Sequence, residues 1–260
     1  MHRNSLTVGT VALALVVASA APAAPHGNPP KLPQKPPKSD TAECYSGAVR
    51  SKALWFRAAD GKVLAGAVYG SGHRGVVLAP ESRGSHCGWI PFARRLAAAG
   101  YRVLAFDTRG HGQSPSPGAA SWTRIDRDVI GAVRKLHALG ARSVVAAGAS
   151  LGGAAVLVAG PALTGLVSGI IDFSGEPDLG PGAGAKAALP RIQAPLLVVA
   201  GRDDPYADEQ TSKEVLDAAG SSDKQLLVYP GPWHGWELVR NAPTAAGARA
   251  DIFRWLALHT

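Results

Sequence analysis

Val144-Val145-Ala146-Ala147-Gly148-Ala149-Ser150-Leu151-Gly152-Gly153 is a short apolar run that ends in Gly-x-Ser-x-Gly and passes into an alanine-rich stretch of helical character. The pattern reads as a buried strand turning sharply into a helix with a serine at the apex, a nucleophile elbow. Gly148 and Gly152 leave room around the turn that holds the serine hydroxyl exposed. A helix starting near Leu151 would aim its free N–H groups and positive dipole end at the serine oxygen, which favours negative charge developing there. The Leu151 N–H would be one donor to such an oxyanion. In a chain with 31 glycines the five-residue pattern needs support from its surroundings.

Working outward from the elbow, strand and helix signals alternate. Ala48 to Arg57 and Val63 to Tyr69 read as a hairpin turning at Ala59-Asp60-Gly61-Lys62. Val76 to Ala79 is a continuous apolar run of the kind buried in a parallel sheet, and Tyr101 to Phe106 reads as a further strand. Phe92 to Ala99 reads as a helix stopped by Gly100. Ile125, Val129, Val133 and Leu136 form a helical stripe closed by Gly140, and Ser143 to Ala147 is the strand that feeds the elbow. Downstream, helices are expected at Ala154 to Ala159, Asp208 to Ala219 and Ala245 to Leu258. Strands are expected at Leu166 to Phe173, Leu196 to Ala200 and Gln225 to Tyr229. This alternation predicts an α/β fold with a doubly wound, mostly parallel sheet of about eight strands. Ligands of such sheets sit at the carboxyl ends of the strands, where the elbow lies.

The 260 residues, 46% of them hydrophobic, suffice for one sizeable core and leave little for a second domain. The N-terminal part stands apart from that core. His2 and Arg3 precede an apolar run from Leu6 to Ala18, followed by the small-x-small patterns Ala18-Ser19-Ala20 and Ala21-Pro22-Ala23. Residues 1–23 therefore read as a secretory signal peptide, with secretion or residence in the cell envelope as the expectation and no stable membrane insertion after cleavage. Residues 24–43, rich in proline and lysine, read as an extended linker, and residues 44–260 as the folded domain. Half of the +8 net charge comes from Arg3, Lys31, Lys35 and Lys38, all ahead of the first acidic residue, Asp40. That placement, with no basic-aromatic interleaving, argues against a nucleic-acid partner. The two cysteines, Cys44 and Cys87, are expected to form a disulfide in an exported chain; two separate thiols are the alternative.

Asp107-Thr108-Arg109-Gly110-His111-Gly112-Gln113-Ser114, followed by Gly148-Ala149-Ser150-Leu151-Gly152-Gly153, resembles the α/β-hydrolase superfamily, over a span from about Ala48 to the C-terminus. That resemblance implies a Ser, acid, His order along the chain. Gly201-Arg202-Asp203-Asp204-Pro205 is similar to the superfamily's Gly-x-x-Asp loop and makes Asp204 the acid, with Asp203 the near competitor and Asp172 and Asp178 as outside alternatives. Of the eight histidines, His234 alone follows a strand downstream of that acid and is flanked by glycine, so it is the expected base. The resemblance places the second oxyanion donor in the loop after the third strand, at the N–H of Glu81 with Ser82 as alternative, because Pro80 has none to give. An acidic residue there also resembles the dienelactone hydrolase branch, which typically carries cysteine where this chain has Ser150. The other reading of Glu81 is a loop residue paired with Arg83 or Arg109.

Ser174 to Pro195 is too short for more than a small lid, so little or no cap is expected over the site. Trp233 and Trp236 flank His234 and are expected either to wall an acyl or alcohol pocket or to pack against the C-terminal helix. The chain thus reads as a serine hydrolase acting on a small acyl substrate, an ester first, with no metal or organic cofactor in the mechanism. A peptidase, thioesterase or acyltransferase with the same triad is the nearest rival, and a binding protein on the same scaffold the more distant one.

Overall fold

A computed structural model describes residues 31–35, 51–82, 84–115, 121–178 and 184–260. Eight strands build one sheet: β1 (Lys52–Arg57), β2 (Val63–Tyr69), β3 (Arg74–Ala79), β4 (Tyr101–Phe106), β5 (Ser143–Ala149), β6 (Gly169–Phe173), β7 (Leu196–Gly201) and β8 (Lys224–Tyr229). Their spatial order is β1-β2-β4-β3-β5-β6-β7-β8. The pairs β1/β2 and β2/β4 are antiparallel, and every other neighbouring pair is parallel. Helices α1 (Ile90–Ala98), α2 (Ile125–Ala138), α3 (Leu151–Leu163), α4 (Glu209–Ala218), α5 (Glu237–Arg240) and α6 (Ala245–His259) cover the two faces.

The alternating direction of side chains along each strand divides the interior into two cores. Val144 and Ala146 of β5 point to the face that packs α2, α3 and Val215 of α4. Val145, Ala147 and Ala149 point to the other, against α1, α5 and α6. Both faces are covered, which is why the central strands read as unbroken apolar runs. The stripe Ile125, Val129, Val133 and Leu136 of α2 is fully buried, and each such side chain contributes roughly 1.5–3 kcal/mol by leaving water.

The chain leaves β3 towards β4 on one side, then returns through α2 to β5 on the other. Two strand ends therefore lie side by side where the winding direction changes, with Ala79 of β3 in register with Gly148 of β5. The turn leaving Ala79 and the turn leaving Gly148 must share one crevice.

Element boundaries differ from expectation in a few places. Helix α3 starts at Leu151, as the elbow reading expects, and runs to Leu163, beyond the Ala159 limit of the stretch read as helical. Strand β6 starts at Gly169 because the Leu166 and Val167 amides are still bonded to the Leu163 carbonyl that closes α3. A short helix, α5, comes after His234 where no helical periodicity is readable. Between Ser174 and Pro195 the described residues hold only two short 3-10 turns, Ala185–Ala187 and Leu189–Arg191. The signal-peptide segment, most of the linker, Cys44 and the expected start of the first strand at Ala48 lie outside the described residues. Among the described residues no helix is long and apolar enough to cross a membrane.

Candidate active site

At the elbow Ser150 has φ 52° and ψ −117°, a backbone region that L-residues rarely enter. The conformation costs about 1–3 kcal/mol and persists because the surroundings over-determine it. The Ser150 amide donates to the Phe173 carbonyl of β6 at 2.9 Å, and α3 starts at the next residue. A Cβ on Gly148 would fall onto the Gly152 carbonyl, and one on Gly152 onto the Ala79 carbonyl oxygen. The two glycines flanking the serine are therefore demanded by backbone approach, as the motif spacing implies.

Asp204 and His234 are brought together from loops after β7 and β8. Asp204 is 3% exposed and its Oδ1 accepts the Tyr206 and Ala207 amides at 2.9 and 3.3 Å. His234 Nδ1 lies 2.8 Å from Asp204 Oδ2 and 3.0 Å from Oδ1. Burial pulls the imidazole pKa down, but the hydrogen bond and charge of Asp204, with Glu81 and Glu176 adding theirs, carry it above its ordinary value. The competing carboxylates are elsewhere. Asp203 is exposed, Asp178 pairs with Lys186 at 2.8 Å, and Asp208 caps α4 through the Thr211 amide. Asp172 is buried at the end of β6, where desolvation raises its pKa to about 7.

Ser150 and His234 line one cavity of about 280 Å³ together with Glu81, Ser82, Glu176 and Tyr206. With Nδ1 committed to Asp204, the ring nitrogen left for a serine proton is Nε2. The two expected oxyanion donors flank this cavity in sequence, Leu151 as the first residue of α3 and Glu81 in the turn leaving β3. The Glu81 carboxylate is not paired with Arg109, which is held by Asp60 and Asp128, and Arg83 lies outside the described residues. Glu81 Oε1 instead accepts the Trp236 amide at 2.9 Å. Burial raises the Glu81 pKa.

The pocket-wall expectation for Trp233 and Trp236 is corrected: neither lines the cavity. Both indoles pack on the second core cluster, and Trp236 meets Trp89 edge-on at 5.9 Å, because a large apolar ring gains more in that aromatic cluster than at a wet rim. Glu176 and Tyr206 are the lining residues that the sequence did not reveal. Neither belongs to a motif; the only signal is that both come after strand ends on the ligand side of the sheet. Cys87 is disulfide-bonded. Among the described residues no group of three or more His, Cys, Asp or Glu is placed to hold a metal ion.

Residues 71–176 and 179–238 match the family described as serine aminopeptidase, S33. The chain belongs to that family. It is accordingly a serine hydrolase of the α/β-hydrolase superfamily. Solved structures agree on the fold. A monoacylglycerol lipase of Paleococcus ferrophilus superposes with a TM-score of 0.65 at 18% identity, covering 76% of this chain and 99% of that one. An esterase of Pyrococcus furiosus gives 0.69 at 16% identity, over 81% and 91%. A thermophilic esterase of Thermogutta terrifontis, solved with malate bound, gives 0.64 at 18% identity, over 80% and 100%.

Proposed function

We propose that this serine hydrolase is an exported enzyme that cleaves carboxylic esters through an acyl-enzyme on Ser150. The observation that carries the reading is the buried Asp204 carboxylate holding His234 Nδ1 while His234 and Ser150 share one cavity. In the first half-reaction Ser150 Oγ bonds to the ester carbonyl carbon as His234 Nε2 takes its proton, and the carbonyl oxygen gains negative charge. The Leu151 and Glu81 N–H groups are assigned to that oxyanion. As the tetrahedral species collapses, the carbon–oxygen bond to the alcohol breaks and His234 returns the proton to the leaving oxygen. Water then repeats the sequence, releasing the acid and restoring Ser150. Asp204 keeps the imidazole in the tautomer this needs. Export is supported by the apolar stretch Leu6 to Ala18 and the small-x-small patterns after it.

The family description favours one second reading, hydrolysis of an N-terminal peptide bond by the same three residues. The esterase and lipase relatives in structure, and a site without a capping domain in the described residues, support the ester reading. A fluorophosphonate probe should label the mature wild-type protein and fail to label Ser150→Ala, with His234→Ala labelled far more slowly. Turnover of p-nitrophenyl esters without turnover of aminoacyl p-nitroanilides supports the ester reading, and the reverse supports the peptidase reading. Folded wild type that takes up no probe excludes both.

A further inference from the structure

The cavity that holds Ser150 is acidic in its described lining. Besides the serine and histidine it carries two carboxylates, Glu81 and Glu176, and among the described residues no lysine or arginine lines it. Among the described residues Arg109 is held by Asp60 and Asp128, Lys186 by Asp178, and Arg202 by Glu209. Glu81 has one oxygen tied to the Trp236 amide, whereas no ion pair to Glu176 is found among the described residues. Burial raises the pKa of both, so neither is comfortable as an unpaired anion. A third feature sits beside them. The Tyr206 ring is 64% exposed, and its centroid stands 4.9 Å from that of His234.

Carboxylates and an aromatic ring lining the same small space are the chemistry that receives an alkylammonium group. His234 decides on which side of the reacting carbonyl that group would lie. The histidine must stand next to the leaving oxygen in order to protonate it, so groups gathered around the histidine ring meet the alcohol half of the ester. Tyr206 is of that kind through its ring, and Glu176 lines the same cavity as His234.

We infer that the enzyme selects esters whose alcohol carries an alkylammonium group, with Glu176 and Tyr206 as the specificity-determining residues. This rests on the ester-hydrolase reading above and adds the substrate class to it. The bound cation supplies the positive charge that the described lining lacks.

The test compares two esters of nearly identical shape, acetylcholine and its uncharged carbon isostere 3,3-dimethylbutyl acetate, by kcat/KM on the mature wild-type enzyme. A partly screened ion pair together with a cation–π contact predicts a preference of about tenfold for the charged ester, shrinking as salt is added. Glu176→Gln should reduce that ratio to about twofold and Tyr206→Leu should reduce it partially. The ratio is read within each variant, so a change in folded fraction cancels. Equal turnover of the two esters by wild type would overturn the inference and leave the ester reading standing. Preference for an ammonium only on the acyl half, as in an alanine ester of an uncharged alcohol, would also overturn it. Failure on all of these esters by an enzyme that still turns over p-nitrophenyl esters would overturn the inference alone, and failure on the p-nitrophenyl esters as well would remove both.

Discussion

A histidine can accept the Ser150 proton only while its own Nε2 is unprotonated. The acid limb of the activity profile therefore reports the His234 pKa. Burial lowers that pKa, but Asp204 and then Glu81 and Glu176 outweigh it, so the limb is expected above the usual imidazole value of about 6.5. As pH falls, the enzyme should thus lose activity earlier than an isolated imidazole would suggest. Glu176→Gln removes one of the raising charges and should move the limb to lower pH. A profile of kcat/KM against pH for a neutral p-nitrophenyl ester measures both, and an unmoved limb would mean that the Glu176 charge does not reach the ring. At this scale the sequence is readable where backbone geometry imposes residue types. Ser150 between its glycines and His234 after a late strand can be found, and so can a two-residue choice for the acid. The resemblance favours Asp204 over Asp203, and the turn supplies the physical difference, burying one carboxylate against two amides and leaving the other in water. Glu176 and Tyr206 carry no local pattern, since lining a cavity is a property of three-dimensional neighbours.

Among the elements, the pair β3 and α3 governs the site, because Gly152 in the first turn of the helix lies against the end of the strand. A Cβ at position 152 would stand 2.5 Å from the Ala79 carbonyl oxygen and 2.6 Å from that of Pro80, and backbone atoms cannot swing aside. Gly152→Ala should force α3 away from the turn that carries Glu81. The expected result is a stability loss of about 1–3 kcal/mol in urea titration, with a fall in kcat beyond what the folded fraction explains. Gly247→Ala is the contrast: the position is exposed within α6 and an added Cβ meets nothing, so helix propensity should make it stabilising by about 0.5–1 kcal/mol. Strand positions are well legible because two covered faces force apolar runs, and β2 and β4 match their expected limits. The start of α3 near Leu151 follows from the elbow reading, although Leu151-Gly152-Gly153 is poor helix-forming sequence; the glycines serve close packing against β3 and β6.

Over the whole molecule, the Asp107 to Ser114 stretch reads in sequence as a family signature, and its physical work is to lock three distant parts together. Arg109 donates through Nε and Nη2 to Asp128 of α2 at 2.8 and 2.6 Å, and through Nη1 and Nη2 to Asp60 at 2.8 and 3.0 Å. Its own amide adds a bond to the second Asp128 oxygen at 2.9 Å. One guanidinium thus joins the loop after β4, the start of α2 and the β1–β2 turn. No pattern in the chain announces this, because the partners are 19 and 49 residues away and an isolated Asp reads as an ordinary cap or turn residue. Arg109 is 2% exposed and Asp128 fully buried, so Arg109→Ala would leave a desolvated carboxylate with its main partner gone. The expected loss is about 3–5 kcal/mol, large for a residue that does not line the cavity. The double variant Arg109→Ala, Asp128→Ala should recover part of it, since no orphan charge remains. Urea unfolding of the two single variants and the double variant gives the coupling. Strict additivity would show that Asp128 gains other partners or water once Arg109 is gone, and that the loop is held by its backbone bonds and by the Asp107 contacts to His86 and Gln113 instead.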